Sequence, residues 1–324
     1  MTREESGPML RIFCFIALLW NAAWAHAVAD NAGTVAVNPV KVSAHCYYVQ
    51  GMAGAASSAN QGYMSNAGFV VTHDGVVVFD ALGSPPLGEE LIRQIGKITH
   101  LPIKRVIVSH YHADHIYGLQ AFKKIGAEIW AHQLGKEYLA SDVAQGRLAQ
   151  RREELFPWVD ENTVLVPADK WLDGDTGFEM GGLHFELHYV GPAHSPEDMA
   201  MLVKEDGVLY SGDLVFKGRV PYVGSADSRA WLASLSKLTT LKPKYMIPGH
   251  GAISTHAAAD MKLTRDYLTY LRAAMGKAVA NFETFDEAYA KISWKQFEKL
   301  PAFHEANRAN AYNTYILMER EILK

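Results

Sequence analysis

A strand-like run, residues 103–109 (IKRVIVS), leads directly into a segment in which four of six residues carry side chains that bind metals. That segment reads His110, Tyr111, His112, Ala113, Asp114 and His115. Residues two apart in an extended segment project to the same side, so the imidazoles of His110 and His112 can reach one ion. Asp114 and His115 stand where a helical pattern begins and can point to a neighbouring position. The segment therefore predicts a metal site at the end of a strand.

Three further residues of ligand type follow later, each at the predicted end of a strand. They are His194 in GPAHS, Asp213 in YSGDLVF and His250 in IPGHG. These residues argue against the alternative, a polar loop whose histidines serve only packing. Five imidazoles and two carboxylates suit borderline cations, with zinc the first choice and iron or manganese as alternatives. Two ions about 3.5 to 4 Å apart can share a water whose pKa falls from 15.7 to roughly 7.

The pattern H-x-H-x-D-H, followed by a His, an Asp and a His at strand ends, resembles the metallo-β-lactamase superfamily over residues 42–255. The resemblance implies an α+β fold, a four-layer αββα sandwich. It also implies two zinc ions, one held by His110, His112 and His194, the other by Asp114, His115 and His250, with Asp213 bridging them. Asp80, which ends GVVVFDA, matches the first motif of the family and would orient the histidine segment from behind. A turn or helix-capping aspartate is the alternative for Asp80.

The same resemblance implies a hydrolase in which metal-bound hydroxide attacks the carbonyl carbon of a small ester, thioester or lactone. Asp114 would both bind metal and orient that hydroxide. Asp213 stands where the best-known β-lactamases of the family have Cys, which weakens a β-lactamase assignment. An Asp bridge is typical of glyoxalase II type thioesterases, lactonases and related hydrolases. The alternatives are a mononuclear iron enzyme similar to persulfide dioxygenases and a non-catalytic, metal-containing protein that binds a carrier.

Residues 212–238, GDLVFKGRVPYVGSADSRAWLASLSKL, are most similar to periplasmic zinc hydrolases that accompany sulfur oxidation and quinoprotein relay systems, often called SoxH-like. That likeness implies protein partners from such systems. Lys217 and Arg219 follow Asp213 closely enough to bind a substrate carboxylate or sulfonate, with Arg the tighter, bidentate partner. Two solvated loop cations are the equal alternative. Tyr222 can donate a hydrogen bond to a developing oxyanion.

The N-terminus reads as a secretory signal peptide, residues 1–27. An apolar run, RIFCFIALLW, follows Arg3 and Arg11 and is followed by small-x-small sites in NAAWAHAVA. A membrane-spanning helix needs about 20 apolar residues, more than this run contains. We therefore expect a periplasmic or secreted protein without stable membrane insertion after cleavage, and an uncleaved anchor is the alternative.

Three segments follow the signal peptide. Residues 28–41 form a polar lead, residues 42–255 the metallo-β-lactamase-fold domain, and residues 256–324 a helical C-terminal extension. The extension has apolar residues at helical spacing, namely Leu263, Tyr267, Leu271 and Met275.

Composition limits the partners and the cysteine chemistry. The chain has 324 residues, and its formal charge of −4 is too small and of the wrong sign for a nucleic-acid-binding surface. The predicted partner is therefore a small-molecule substrate. Cys14 would leave with the signal peptide, so the mature chain keeps one thiol, Cys46, and has no intrachain disulfide. We expect Cys46 to be a buried small hydrophobic residue rather than a reactive thiol.

Overall fold

The computed structural model describes Gly33 and residues 35–322, so the predicted signal peptide lies outside the described residues. From residue 35 onward the described residues belong to one compact unit, Thr34–Lys324. Within this part of the chain, no helix has the length and apolarity that a membrane crossing requires.

Two β-sheets form the centre of this unit. In the described part of the chain the first sheet has seven strands, which lie in sequence order: β1 (Val40–Lys41), β2 (Cys46–Val49), β3 (Ala67–Val71), β4 (Val76–Phe79), β5 (Ile103–Ile107), β6 (Glu128–His132) and β7 (Lys170–Leu172). The second has five described strands, in the order β12 (Tyr245–Ile247), β11 (Val208–Tyr210), β10 (Met199–Val203), β9 (Leu183–Tyr189) and β8 (Thr176–Met180). Strands β4 to β7 pair in parallel, as do β11 and β12, and the other pairs are antiparallel.

Helices cover the outer faces of the two sheets. In residues 35–322 the α-helices are α1 (Pro85–Ile98), α2 (Ala113–Ile116), α3 (Leu119–Lys124), α4 (Gly135–Leu139), α5 (Asp142–Glu154), α6 (Ser228–Thr240), α7 (Ala257–Ala280), α8 (Phe285–Lys291) and α9 (Phe303–Ile322). Local sequence explains their limits. Helix α1 begins with proline, which suits the first helical position. Helix α6 begins after Asp227, whose carboxylate accepts hydrogen bonds from the N–H groups of Arg229 and Ala230.

The central strands are buried on both faces. Successive side chains of a strand point to opposite sides, and β4 places Val77 between the sheets while Val78 packs outward. Ile107 of the first sheet and Met201 of the second belong to the same inner cluster. The continuous apolar runs of these strands therefore reflect two buried faces rather than one.

The outer clusters complete four layers. Leu87 and Leu91 of α1 pack in the cluster on the first sheet, and Trp231 of α6 packs in the cluster on the second. The predicted α+β fold, a four-layer αββα sandwich with C-terminal helices, is confirmed. Helices α7 and α9 pack in the same outer cluster as α6, for example through Tyr267 and Ala311.

Cys46 lies fully buried in the inner cluster between the sheets, as expected. Burial raises the pKa of its thiol to about 12. The thiol therefore stays protonated at neutral pH and behaves as a small apolar side chain.

Strand direction brings the site residues together. Strands β4 and β5 run parallel, and β9, β11 and β12 run in a common direction in the other sheet, since β10 is antiparallel to both β9 and β11. The carboxyl ends of each group therefore lie at one edge of their sheet. Asp80 follows β4, His110 follows β5, His194 follows β9, Asp213 follows β11 and His250 follows β12.

Candidate metal centre

The predicted metal ligands meet at this edge of the sandwich. Each is buried or half-buried: His110, His112, Asp114, His115, His194, Asp213 and His250. Residues more than a hundred positions apart in sequence thus contribute to one cluster. The structure brings together every residue of the predicted ligand set.

The first set consists of three imidazoles. His110, His112 and His194 each offer one nitrogen, and these nitrogens lie within 4.8 Å of one another. His112 Nδ1 and His194 Nε2 are 2.8 Å apart. His112 is the residue before α2, with an extended backbone, which explains why it shares a side with His110.

The second set contains a carboxylate and two imidazoles. Ligand atoms of Asp114, His115 and His250 also lie within 4.8 Å of one another. Asp114 Oδ2 is 3.3 Å from His250 Nε2 and 3.7 Å from His115 Nε2. The first turn of α2 carries Asp114 and His115, so one short helix presents both.

Asp213 lies between the two sets. Its Oδ1 is 3.2 Å from His115 Nε2, and its Oδ2 is 3.4 Å from His194 Nε2 and 3.3 Å from His250 Nε2. His110, His115 and Asp213 form a further group that overlaps both sets. A carboxylate between the two sets can bind two cations at once. This is the position that the resemblance implies for the bridging ligand.

The first set holds neutral imidazoles. Burial lowers the pKa of His112 to about 4 and that of His194 to about 3, and it lowers the pKa of His110 well below its usual range. Neighbouring histidines add to this effect for His110 and His194. Neutral imidazoles keep the lone pair that a metal needs.

The carboxylates of the site are ionised. Although burial raises the pKa of Asp213, the imidazoles of His250 and His115 hold it well below its usual range, and His115 and His250 do the same for Asp114. Burial lowers the pKa of both imidazoles, but Asp213 and Asp114 outweigh it, so the net shift is upward. Because a cation must displace any proton on His115 or His250, metal binding and proton release are coupled at this set.

Unpaired buried atoms show that these residues fit a metal. His110 Nε2 is buried without a hydrogen-bond partner, and His115 Nε2 and Asp213 Oδ1, although 3.2 Å apart, do not meet the geometry of a hydrogen bond and have no other partner. Leaving such atoms unpaired is unfavourable by about 1–3 kcal/mol each. Since the same atoms point into one cluster of imidazole and carboxylate donors, a bound cation would satisfy them, and this donor set suits zinc.

Asp80 supports the ligands from behind. Its carboxylate accepts hydrogen bonds from Ser109 N at 2.7 Å, Ser109 Oγ at 2.8 Å and His115 Nδ1 at 2.9 Å. Ser109 Oγ in turn lies 2.9 Å from His110 Nδ1. With each Nδ1 as donor, His110 and His115 both direct Nε2 into the site. This is the geometry expected of a residue that orients the histidine segment, and it does not match a helix-capping aspartate.

His250 is held by a separate group of contacts. Its Nδ1 lies 2.8 Å from the carbonyl oxygen of Met64. Asn66 donates hydrogen bonds to the carbonyls of Pro248 and Gly251, on either side of His250. Sequence reasoning missed this role because the partners lie 182 and 185 residues away.

A cavity of about 520 Å³ opens onto the ligands. It is lined by His112, Asp114, His194, Asp213 and His250 and extends past them. Its volume is typical of pockets for small organic molecules, which occupy about 300–1,000 Å³. The cavity therefore has room for a substrate beside the metal ligands.

The predicted substrate contacts divide into two groups. Arg219 and Tyr222 line the cavity, whereas Lys217 is not among the lining residues. The Lys217 ammonium instead donates to Asp260 at 2.7 Å and to the carbonyl of Ile253 at 3.1 Å. Both partners lie beyond residue 250, so the segment after β12 and helix α7 hold Lys217 away from the site.

Sequence reasoning missed other lining residues. Arg147 and Arg151 of α5 line the cavity, as do Glu197 after His194 and Glu305 of α9. The four-residue spacing of the two arginines places them on one face of a helix. That spacing was the available signal, but the sequence does not reveal which face of α5 meets the site.

Comparisons with known proteins agree with this geometry. The sequence profile of the metallo-β-lactamase superfamily matches residues 60–250. The probable metallo-hydrolase YqgX of Bacillus subtilis (strain 168) is 29% identical over 192 residues, which cover 58% of this chain and 85% of that protein. The linear primary-alkylsulfatase of Pseudomonas sp. (strain ATCC 19151) is 25% identical over 259 residues, 68% of this chain and 48% of that protein. The chain thus spans about half the length of this second relative.

Solved structures show the same fold. The stereoselective inverting sec-alkylsulfatase Pisa1 from Pseudomonas sp. superposes with a TM-score of 0.66 at 17% identity, over 86% of this chain and 50% of that one. The relatives are metallo-hydrolases, β-lactamases and sulfatases. The profile match covers more than half of the chain. The chain is a metal-dependent hydrolase and belongs to the metallo-β-lactamase superfamily.

Proposed function

We propose that this chain is an exported dinuclear zinc hydrolase that cleaves a small ester, thioester or lactone-like substrate. One observation carries the proposal. The donor atoms form two sets of three, and the Asp213 carboxylate stands within 3.2 to 3.4 Å of nitrogens from both sets. A single ion would leave one of the two sets without a cation, and a buried nitrogen of that set, His110 Nε2 or His115 Nε2, would stay unpaired.

Zinc held by these residues would supply a Lewis acid and lower the pKa of water towards roughly 7. The side chain of Asp114 is 15% exposed and lines the cavity. As an ionised carboxylate it can accept a hydrogen bond from the attacking water and direct that water towards the substrate. Tyr222, which is 39% exposed, lines the same cavity and can donate its hydroxyl proton to a substrate oxygen.

Export to the periplasm or beyond is part of the proposal. It is supported by the apolar run and small-x-small sites of residues 1–27, which lie outside the described residues. An association with sulfur-oxidation or quinoprotein systems is also part of the proposal, and its support is the resemblance of residues 212–238 to SoxH-like hydrolases. Mass spectrometry of the protein from a periplasmic extract tests export, because a retained N-terminus would contradict it.

Hydrolysis of a sulfate ester is the second candidate. The match to the alkylsulfatase covers 68% of this chain, which is slightly more than the share that residues 42–255 make up. The likeness therefore includes at least a few residues outside that range, whereas the match to YqgX covers 58% of the chain. An alkyl sulfate consequently belongs in any panel of test substrates.

Metal analysis combined with a substrate panel tests the proposal. We expect two zinc ions per chain and turnover of a thioester, ester or lactone that a chelator abolishes and zinc restores. Faster turnover of an alkyl sulfate or a β-lactam than of the other substrates would indicate a sulfatase or a β-lactamase instead of an ester, thioester or lactone hydrolase. One iron per chain, together with oxygen uptake on a persulfide, would instead indicate a dioxygenase. Tightly held metal without turnover of any panel member would indicate a carrier-binding protein.

A further inference from the structure

The cavity has more cationic groups than metal binding requires. Three arginines line it, Arg219 from the segment after Asp213 and Arg147 and Arg151 from α5. Guanidinium groups bind oxyanions through paired N–H donors. Three arginines in one cavity therefore indicate that the substrate carries an anionic group.

Arg219 is a buried cation without a carboxylate partner. It is 9% exposed, and its Nε is buried without a hydrogen-bond partner. Its Nη1 reaches only the carbonyl of Gly54 at 3.4 Å and stands 3.3 Å from His250 Nδ1. No carboxylate of the described chain lies within ion-pair distance of it. A buried charge of this kind is unfavourable unless an anion joins it.

Arg147 is half-buried and is likewise not ion-paired within residues 35–322. Its guanidinium donates to Gln150 at 2.9 Å. Burial raises the pKa of the Tyr138 hydroxyl, and the charge of Arg147 is the first influence that opposes this rise. Tyr138 in turn contacts the ring of His112 edge-on, with centroids 6.4 Å apart. Arg147 therefore acts on the part of the cavity next to the metal ligands.

In the described part of the chain, no carboxylate of the cavity wall forms an ion pair with Arg147 or Arg219, although Asp213, Asp114 and Glu305 attract Arg219 at longer range. Glu197 is buried and accepts the N–H of Tyr111 at 3.1 Å. Glu137 and Glu305 are exposed at the rim, where water screens them. Among the three arginines only Arg151 forms an ion pair, with Glu154 at 2.5 Å, so its guanidinium is less available to bind an anion.

The rest of the wall is largely apolar. Leu134, Val143, Ala302 and Ala306 line the same cavity. An apolar wall beside unpaired guanidinium groups suits a molecule with a hydrocarbon part and an oxyanion. It suits a fully neutral or a strongly hydrophilic molecule less well.

We propose that Arg147 and Arg219, with a smaller contribution from Arg151, bind an anionic group of the substrate. The hydrolase then acts on a small ester or thioester that carries a carboxylate, sulfonate or sulfate on an apolar body. This inference rests on the proposed function and names the substrate class of the same site. Lys217 takes no part, since Asp260 holds it.

Two esters of equal chain length test the proposal on the zinc-loaded protein. p-Nitrophenyl hexanoate is neutral, whereas p-nitrophenyl hydrogen adipate carries a carboxylate in place of the terminal methyl group and is too long for that carboxylate to attack its own ester readily. We expect kcat/KM to be at least about tenfold higher for the adipate ester, since one charge-assisted contact is commonly equivalent to a factor of ten. Arg147→Gln should remove most of this preference, and Arg151→Gln less of it. Arg147→Lys should retain part of the preference for the anionic ester, because lysine keeps the positive charge.

Arg93→Gln is the matched control, because Arg93 is exposed, pairs with Glu90 on α1 and does not line the cavity. It should keep the preference for the anionic ester. Equal kcat/KM values for the two esters, or a preference that Arg147→Gln leaves intact, would overturn the anion site while the hydrolase proposal stands.

Direct binding separates the two proposals. Calorimetric titration of the zinc-loaded protein with succinamate, set against neutral butyramide, needs no turnover. We expect Arg147→Gln to weaken succinamate binding by roughly tenfold. Binding that the variant leaves unchanged would place the carboxylate on the metal and reject the anion site. Arginine-dependent binding without hydrolysis of any ester would keep the anion site and reject the proposed ester hydrolysis.

Discussion

At the scale of single residues, the two carboxylates of the centre differ in access to the cavity. The side chain of Asp213 is 4% exposed, whereas that of Asp114 is 15% exposed. Asp213 is surrounded by imidazoles from both sets, while Asp114 keeps one side open to the cavity. The geometry therefore favours a structural role for Asp213 and a role in orienting water for Asp114.

Asp114→Asn tests the role of Asp114. The amide keeps one oxygen that can bind metal, but its other terminal group is an NH2, which cannot accept a hydrogen bond from the attacking water. We expect most of the metal to stay bound and turnover to fall by about two to four orders of magnitude. Metal analysis and kcat of the same preparation measure both effects, and an Asn variant with full activity would contradict the assignment. His112→Ala should lose metal as well as rate.

Gly249 is required directly behind Asp213. A Cβ at this position would lie 2.0 Å from Asp213 Oδ1 and 2.6 Å from the backbone carbon of Gly212. We expect Gly249→Ala to displace Asp213, lower the zinc content per chain and destabilise the fold by about 1–3 kcal/mol. Gly96→Ala is the control, since a Cβ there meets nothing within 4 Å. A Gly249→Ala protein with full metal content would show that Asp213 does not depend on this close approach.

At the scale of secondary-structure elements, α9 supports the segment that carries the substrate contacts. Asn310 is fully buried; its Oδ1 accepts the N–H of Val223 at 2.8 Å, and its Nδ2 donates to the carbonyl of Pro221 at 2.7 Å. These bonds fasten the segment after Asp213, which contains Arg219 and Tyr222. The helical extension thus contributes to the site through a loop as well as through its own lining residues.

Asn310→Ala tests this coupling. The change leaves two buried backbone groups without partners, which destabilises by about 1–3 kcal/mol per group. We expect KM to rise by about threefold or more while zinc content stays unchanged and kcat changes less, because the metal ligands belong to other segments. Asn313→Ala, on the same helix, should leave both kinetic constants unchanged. A loss of zinc in the Asn310 variant would show that α9 supports the metal ligands instead.

At the scale of the whole molecule, the metal centre joins the two sheets. Its ligands follow β5 in the first sheet and β9, β11 and β12 in the second. A cation bound across them stabilises the native state alone and so adds RT ln(1 + [L]/Kd) to the free energy of unfolding. This term is about 2.7 kcal/mol at a hundred times Kd.

Metal removal tests this coupling. We expect a chelator to lower Tm by roughly 5–10 °C in a thermal scan and zinc to restore it. His112→Ala should reduce the shift, since it removes a ligand of one set. Identical melting with and without chelator would mean that the native protein holds no metal at this centre.

The sequence by itself determined the fold class and the identity of the clustered ligands. Four metal-binding residue types within six positions, as in His110 to His115, are rare. The strand patterns also predict that this segment and the later ligands all stand at the ends of strands, where side chains from different strands can meet. Even Asp80 could be named, although its link through Ser109 to His110 depends on the tertiary structure. The clustering of ligand types can be read from residue chemistry and the local period of the chain, whereas the four-layer fold and the role of Asp80 were implied by the resemblance to the metallo-β-lactamase superfamily.

Only the tertiary structure decided how the cavity is built. The sequence predicted both Lys217 and Arg219 as substrate contacts, but packing of α7 pairs Lys217 with Asp260, whereas Arg219 lines the cavity. The tertiary structure also turned one face of α5, with Arg147, towards the metal ligands. The physical reason is that ion pairs and buried faces depend on which distant elements pack together. No local pattern contains that information.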